Sequence, residues 1–308
     1  MNWSGVMPAM TTPFGGDLAV DHNFMSRHAQ WLLANGCSGL VMLGSLGEGA
    51  TLDTAEKVAI LKNTVKTVAG NAPVVAAISS LSTSHAVALA KEAEQAGCSG
   101  LMVLPPYVYS TDWREMKQHV SAIIAATTLS CMLYNNPVAY TTDFLPEQIA
   151  ELTQEHSNLA AVKESSADVR RVAAIRAVLG DRIEILVGVD DVVVEAIGAG
   201  AKGWIAGLVN AFPAESVQLF NLAREGNFES VFPLYRWFLP LLRMDTVPKF
   251  VQLIKWVQAE MGVGSARVRG PRLELAGAEL AAAREVLKTA LRDRVKIDEV
   301  PFSRFAGA

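Results

Sequence analysis

The stretch "GCSGLVML", Gly36–Leu43, returns almost unchanged as "GCSGLMVL", Gly97–Leu104, and the two copies begin 61 residues apart. A strand, a helix and their two loops take roughly 30 residues, so this spacing fits two βα units of a chain built from a repeated module. In each copy a small-residue turn closes a helix, with glycine relieving the backbone at the stop, and an apolar run begins a strand. A third echo, "GAKGWIAGL" at Gly200–Leu208, has the same form.

Working outward from these copies, eight apolar segments are predicted as strands, at about 5–10, 39–43, 73–79, 99–104, 129–134, 159–163, 183–188 and 203–206. They are continuous rather than alternating, as parallel strands covered on both faces should be. Helical patterns lie between them. One is "STSHAVALAKEAEQAG", where Ser82 or Ser84 supplies an N-cap. The expected fold is an α/β (β/α)8 TIM barrel, with a doubly wound open sheet as the other arrangement of such a pattern. After Pro213 the pattern is helical only. The expected division is a barrel over residues 1–225 and a C-terminal helical region over 226–308.

Composition narrows the function. The 308 residues are 51% hydrophobic with a net charge of −4, which suits extensive burial and, without basic clusters, gives nucleic acid no electrostatic footprint. The most apolar stretch, Leu234–Trp256, is broken by charges and by Pro240 and Pro248, so no membrane span is expected. "MNWSGVMPAM" lacks a basic region followed by an apolar block, and three scattered cysteines form no framework. A cytoplasmic protein is expected. The five histidines have no ligand spacing, so no metal is expected.

Chemistry on such a barrel belongs at the C-terminal ends of the strands. There "AAVKESSAD", residues 160–168, ends an apolar strand on Lys163. A lysine in an apolar barrel mouth is desolvated, keeps part of its amine neutral and can attack a carbonyl. The plain alternative is a solvated lysine paired with Glu164. Tyr134 ends the preceding strand, where a phenol could shuttle protons to and from a carbinolamine; alternatively it is a core tyrosine bonded to a carbonyl. "GSLGEG", Gly44–Gly49, is a small-residue turn whose N–H groups could hold a carboxylate and whose Ser45 could relay a proton, although such turns are often only turns. Tyr107 and Tyr109 lie in the proline-led "PPYVYS", which also suits a subunit contact. "YRWF", Tyr235–Phe238, suits core or interface, and Asp190–Asp191 a solvated helix start.

In combination, "GSLGE", "LYNNP" and "VKES", each after a strand and in this order, resemble the dihydrodipicolinate synthase / N-acetylneuraminate lyase family, and the similarity runs from about Gly5 to Leu291. The resemblance implies a barrel with C-terminal helices, usually a homotetramer, working through a lysine Schiff base with a 2-oxo acid and without a cofactor. It implies Lys163 as the imine-forming lysine and Tyr134 as the proton-transfer tyrosine. Ser45 would be the middle hydroxyl of the relay, and Tyr107 the tyrosine lent by the adjoining subunit. The N–H groups of Ser45 and Leu46 would bind the substrate carboxylate, with Gly188 and Ile205 lining the pocket.

The chain departs from the synthases at Ala139, where they carry the arginine that clamps a second carboxylate, and at Leu46, where they carry a threonine. Thr54, Lys57 and Pro106 replace residues used for lysine feedback. "LMVLPPYVY", "MLYNNPVAY", "YRWFLPLL" and "GSARVRGPRL" are similar to the branch that deaminates 1-pyrroline-4-hydroxy-2-carboxylate. The expected function is that deamination, in hydroxyproline breakdown, to 2,5-dioxopentanoate and ammonia. The alternatives are a pyruvate-dependent aldolase such as 4-hydroxy-tetrahydrodipicolinate synthase, or a 2-keto-3-deoxy-sugar-acid dehydratase or aldolase. A rival of another class is a 2-oxo-acid-binding sensor or scaffold barrel.

Overall fold

The computed structural model describes residues 1–106 and 112–305. Eight parallel strands alternate with helices: β1 (Gly5–Pro8), β2 (Leu40–Met42), β3 (Val74–Ile78), β4 (Gly100–Val103), β5 (Ser130–Asn135), β6 (Leu159–Glu164), β7 (Glu184–Val187) and β8 (Gly203–Ala206). Each strand pairs with its sequence neighbour from β2 round to β8, and β8 pairs with β1. The ring is completed where the Ala9–Val41 bridge and the N–H bonds from Ser38 to Val6 and from Met10 to Val41 join β1 to β2. The barrel expected from the repeat is therefore the fold, and the open sheet is excluded by the β8–β1 pairing.

Both repeat copies behave as their sequence dictates. Gly36 and Gly97 take φ of +93° and +89°, the left-handed turn that ends each preceding helix, and β2 and β4 follow within four residues. The strands are buried along nearly their whole length. Three strand ends differ from expectation in a way that bears on function. β2 stops at Met42 because Leu43 turns to φ +67°, and this aims the chain into the glycine turn. β5 and β6 each run one residue further, because Asn135 pairs with Glu164 and also donates to the Glu164 carboxylate at 3.0 Å.

The helix over residues 83–95 is capped by Ser82 rather than Ser84. Residues 228–242, 250–260 and 277–292 form the helices that follow the last barrel helix. From the second of these, Gln258 accepts the Thr11 hydroxyl at 2.9 Å, which ties the C-terminal region to the loop after β1. Of the aromatic segment, Tyr235 and Phe238 are core residues. Among the described residues no helix is long and apolar enough to cross a membrane.

Candidate active site

Tyr134 and Lys163 are register partners on β5 and β6, so their side chains emerge side by side at the barrel mouth. The Lys163 Nζ lies over the Tyr134 ring, 4.2 Å from its centre, and the lysine is only 7% exposed. The strand-end lysine is thus buried. It is not paired with Glu164, whose carboxylate accepts instead from Asn135 and from the Ser166 N–H at 2.7 Å. Burial pulls Lys163 down to about 8, against the upward effect of the Asp245 and Asp190 carboxyls. At pH 7 roughly a tenth of the amine is then neutral, hundreds of times more than in a free lysine.

This yields a direct expectation. Because the folded protein favours the neutral amine, the rate of borohydride trapping with pyruvate should rise about tenfold from pH 6 to pH 7 and level off above about 8. A flat profile over that window would remove Lys163 as the titrating amine.

The turn after β2 is held open by its own chemistry. A Cβ on Gly49 would lie 2.1 Å from the Leu43 carbonyl oxygen, so only glycine closes this turn. Glu48 takes φ +53° within it, and its buried carboxylate accepts from Lys255 at 2.7 Å and from the Arg269 N–H at 3.0 Å. The turn is thereby anchored to the C-terminal region, and among the described residues nothing accepts from the N–H groups of Ser45 or Leu46. Two adjacent free donors beside a lysine are suited to a carboxylate. The Ser45 hydroxyl shares a hydrogen bond with the Tyr140 hydroxyl, and the Tyr140 ring packs edge-on to Tyr134 at 5.7 Å. Burial raises the Tyr134 phenol, while hydrogen bonds from Asn136, Ser165 and Tyr140 favour its anion. Ser45, Tyr140 and Tyr134 are thus contiguous.

The opposite wall comes from β7 and β8. Gly188 leaves room for the Lys163 stem and for Ser165: a Cβ there would lie 2.4 Å from Lys163 Cε and 2.0 Å from Ser165 Oγ. Ile205 is buried in β8. Asp190 is not the solvated helix start expected for it. It is 0% exposed and accepts from the Trp204 indole at 2.9 Å and from the Gly207 and Leu208 N–H groups at 3.1 and 2.9 Å. The donors come from residues after and within β8, which a local reading of "VDD" does not bring near. Burial lifts Asp190 to about 6 against these bonds, and it remains the nearer to an ionised group of the two carboxyls beside Lys163. The other, Asp245, lies against Gly207 and is pushed well above the usual carboxylate range by burial and by Asp190, while Lys163 draws it down.

Of the residues expected at the site, Lys163, Tyr134, Ser45, Leu46, Gly188 and Ile205 converge at one end of the barrel. Ala139 is exposed on the short helix Pro137–Tyr140, its N–H capped by Asn136 at 3.0 Å, and it contributes no side-chain group to the mouth. Tyr107 and Tyr109 lie outside the described residues. Tyr140 and Asp245 are the members that sequence reasoning missed. The first was legible as the aromatic of "PVAY" one residue past Ala139; Asp245 carried no signal beyond breaking an apolar run. No group of three or more histidine, cysteine or acidic side chains suited to a metal occurs among the described residues.

The family model described as the dihydrodipicolinate synthetase family matches residues 2–290. The 4-hydroxy-tetrahydrodipicolinate synthase of Desulforamulus reducens is 28% identical over 287 residues, covering 93% of this chain and 97% of that one. Among solved structures, the 4-hydroxy-tetrahydrodipicolinate synthase of Methylacidiphilum fumariolicum SolV superposes with a TM-score of 0.91 at 26% identity, over 94% of this chain and 97% of that one. YagE, a prophage protein from E. coli K12 belonging to the dihydrodipicolinic acid synthase family and solved in complex with pyruvate, gives a TM-score of 0.88 at 25% identity, over 94% of this chain and 99% of that one.

Proposed function

From the premise that the chain belongs to the dihydrodipicolinate synthetase family, lyases that work through a covalent lysine Schiff base without a cofactor, we propose that Lys163 forms that base with a substrate bearing a single carboxylate. The substrate proposed is 1-pyrroline-4-hydroxy-2-carboxylate. In this reading the Ser45 and Leu46 N–H groups hold its carboxylate, and Tyr134 moves protons at the nitrogen on C2 and at C3 with Ser45 and Tyr140 behind it.

The chemistry balances as follows. Attack of the Lys163 amine at C2 breaks the ring C–N bond and leaves an imine carrying a 4-hydroxyl and a 5-amino group. Loss of a C3 proton gives an enamine, which expels the hydroxyl as water. Tautomerisation then turns the C5 amine into an imine. Hydrolysis of both imines frees Lys163, ammonia and 2,5-dioxopentanoate, with a net consumption of one water.

The observation that carries this reading is the sign of the charge around Lys163. The groups acting on it are Asp245 and Asp190, and Ala139 offers no cation at the mouth. A second carboxylate, as in aspartate semialdehyde, would meet the like charge of Asp190 there with no bidentate partner. The names of the relatives favour a second reading, 4-hydroxy-tetrahydrodipicolinate synthase. Ammonia release from 1-pyrroline-4-hydroxy-2-carboxylate, assayed beside condensation of pyruvate with aspartate semialdehyde, separates the two. The proposal expects the first activity to dominate in kcat/KM by at least about 10²-fold, since losing a charge-assisted clamp costs a few kcal/mol. Condensation without ammonia release would establish the second reading instead.

A further inference from the structure

We propose that Asp245 is the general acid of this site, protonating the hydroxyl that leaves C4. The inference rests on the substrate reading above and deepens it, because an aldol condensation has no such leaving group.

Asp245 reaches the mouth from outside the eight βα units. The helix Phe228–Leu242 ends in a tight turn, Arg243–Asp245, which lays the carboxyl against the backbone just past β8. A Cβ on Gly207 would lie 2.1 and 2.9 Å from its two oxygens, so this approach requires glycine at 207. The same short segment carries the N–H groups that hold Asp190. The two carboxyls therefore share Gly207 but differ in partners. Asp190 accepts from three groups, whereas among the described residues no hydrogen bond or ion pair engages the Asp245 side chain. It is also only half-buried, and so open to a bound molecule.

A partnerless carboxyl in an enclosed site favours its neutral, proton-donating form. The charged groups acting on it are Lys163 from β6, and Asp190 and Asp191 from the turn after β7; Asp191 in turn lies 3.5 Å from Arg243. Two of these three are acidic and favour the proton's retention.

The step is simple in its balance. As the nitrogen lone pair restores the C2=N bond and the enamine's C2=C3 pair becomes a C3=C4 double bond, the C4–O bond breaks, the oxygen takes the Asp245 proton and leaves as water, and solvent later returns a proton to the carboxylate. Imine formation involves no leaving group at C4 for Asp245 to protonate. This separation supplies the test.

Deuterium exchange at the methyl group of pyruvate in D2O requires Lys163 and a proton-transfer group that serves the carbinolamine and C3, but no acid for a leaving group at C4. In Asp245→Asn ammonia release from 1-pyrroline-4-hydroxy-2-carboxylate should fall at least about 10²-fold further than the exchange rate does, the usual contribution of a positioned acid. Asp245→Glu should recover part of the lost turnover. Equal losses of both activities would make Asp245 a support for Lys163 and overturn the proposal, as would unchanged ammonia release. If the parent enzyme exchanges pyruvate but releases no ammonia, the substrate reading fails and the role of Asp245 falls with it. If Asp245→Asn alone loses release, both stand.

Discussion

Replacing Lys163 with alanine should lower turnover by roughly 10⁴-fold or more, because it removes the group that forms the covalent intermediate rather than one that assists it. The expectation rests on three observations about one side chain. Lys163 is 7% exposed, its amine lies on the Tyr134 ring, and burial brings it to about 8. Alanine keeps the strand and removes only the stem and amine, so the loss should appear in kcat with little change in the fold. The complementary variant, Lys163→Arg, keeps the charge but supplies a guanidinium that does not deprotonate, and should be equally inactive. Steady-state kinetics on both variants test this, and turnover in either within about tenfold of the parent would rule out an amine nucleophile at this position.

The largest effect on stability is expected at Lys255, not at the active site proper. Lys255 and Glu48 are each 1% exposed and 2.7 Å apart, and the lysine also donates to the Thr12 carbonyl at 2.9 Å. Lys255→Met would leave the Glu48 carboxylate buried with the Arg269 N–H at 3.0 Å and the more distant Arg272 guanidinium at 4.0 Å. Breaking such a pair from one side costs roughly 3–5 kcal/mol, while replacing both partners with apolar groups recovers much of the loss. Denaturant unfolding of Lys255→Met and of Glu48→Leu/Lys255→Met should show this order. A single-variant loss below about 1 kcal/mol would show that the pair does not anchor the turn. Because Glu48 sits three residues from Ser45, the single variant should also weaken substrate binding.

These two lysines show what a sequence can and cannot convey. The barrel was legible because its signal is repeated: two near-identical turn-and-strand copies and eight apolar runs each point to the same module. Lys163 and Tyr134 were legible because a parallel barrel puts strand ends together, so adjacent strands ending in polar residues predict neighbours. Lys255 is as buried as Lys163, yet nothing in "QLIKWVQ" reveals the carboxylate across from it, which comes from a turn more than two hundred residues earlier. Asp190 was misread for the same reason, since the N–H groups that hold it belong to the chain after β8. Asp245 enters from the helical region after the barrel, where the apolar composition of its surroundings spoke only of burial. Ala139 drew attention in the sequence, which did not show that Tyr140 beside it hydrogen-bonds to Ser45. Long-range convergence of single polar residues leaves no local pattern, and that is where the remaining site residues lay.

The central claim is that burial with no hydrogen-bonded partner among the described residues makes Lys163, and not the buried but paired Lys255, the reactive amine. Peptide mapping by mass spectrometry after treatment of the enzyme with pyruvate and borohydride tests it most directly. The account predicts one reduced pyruvate per chain, carried on the peptide containing Lys163; an unmodified Lys163 peptide, or an adduct located on Lys255 or any other lysine, would contradict it.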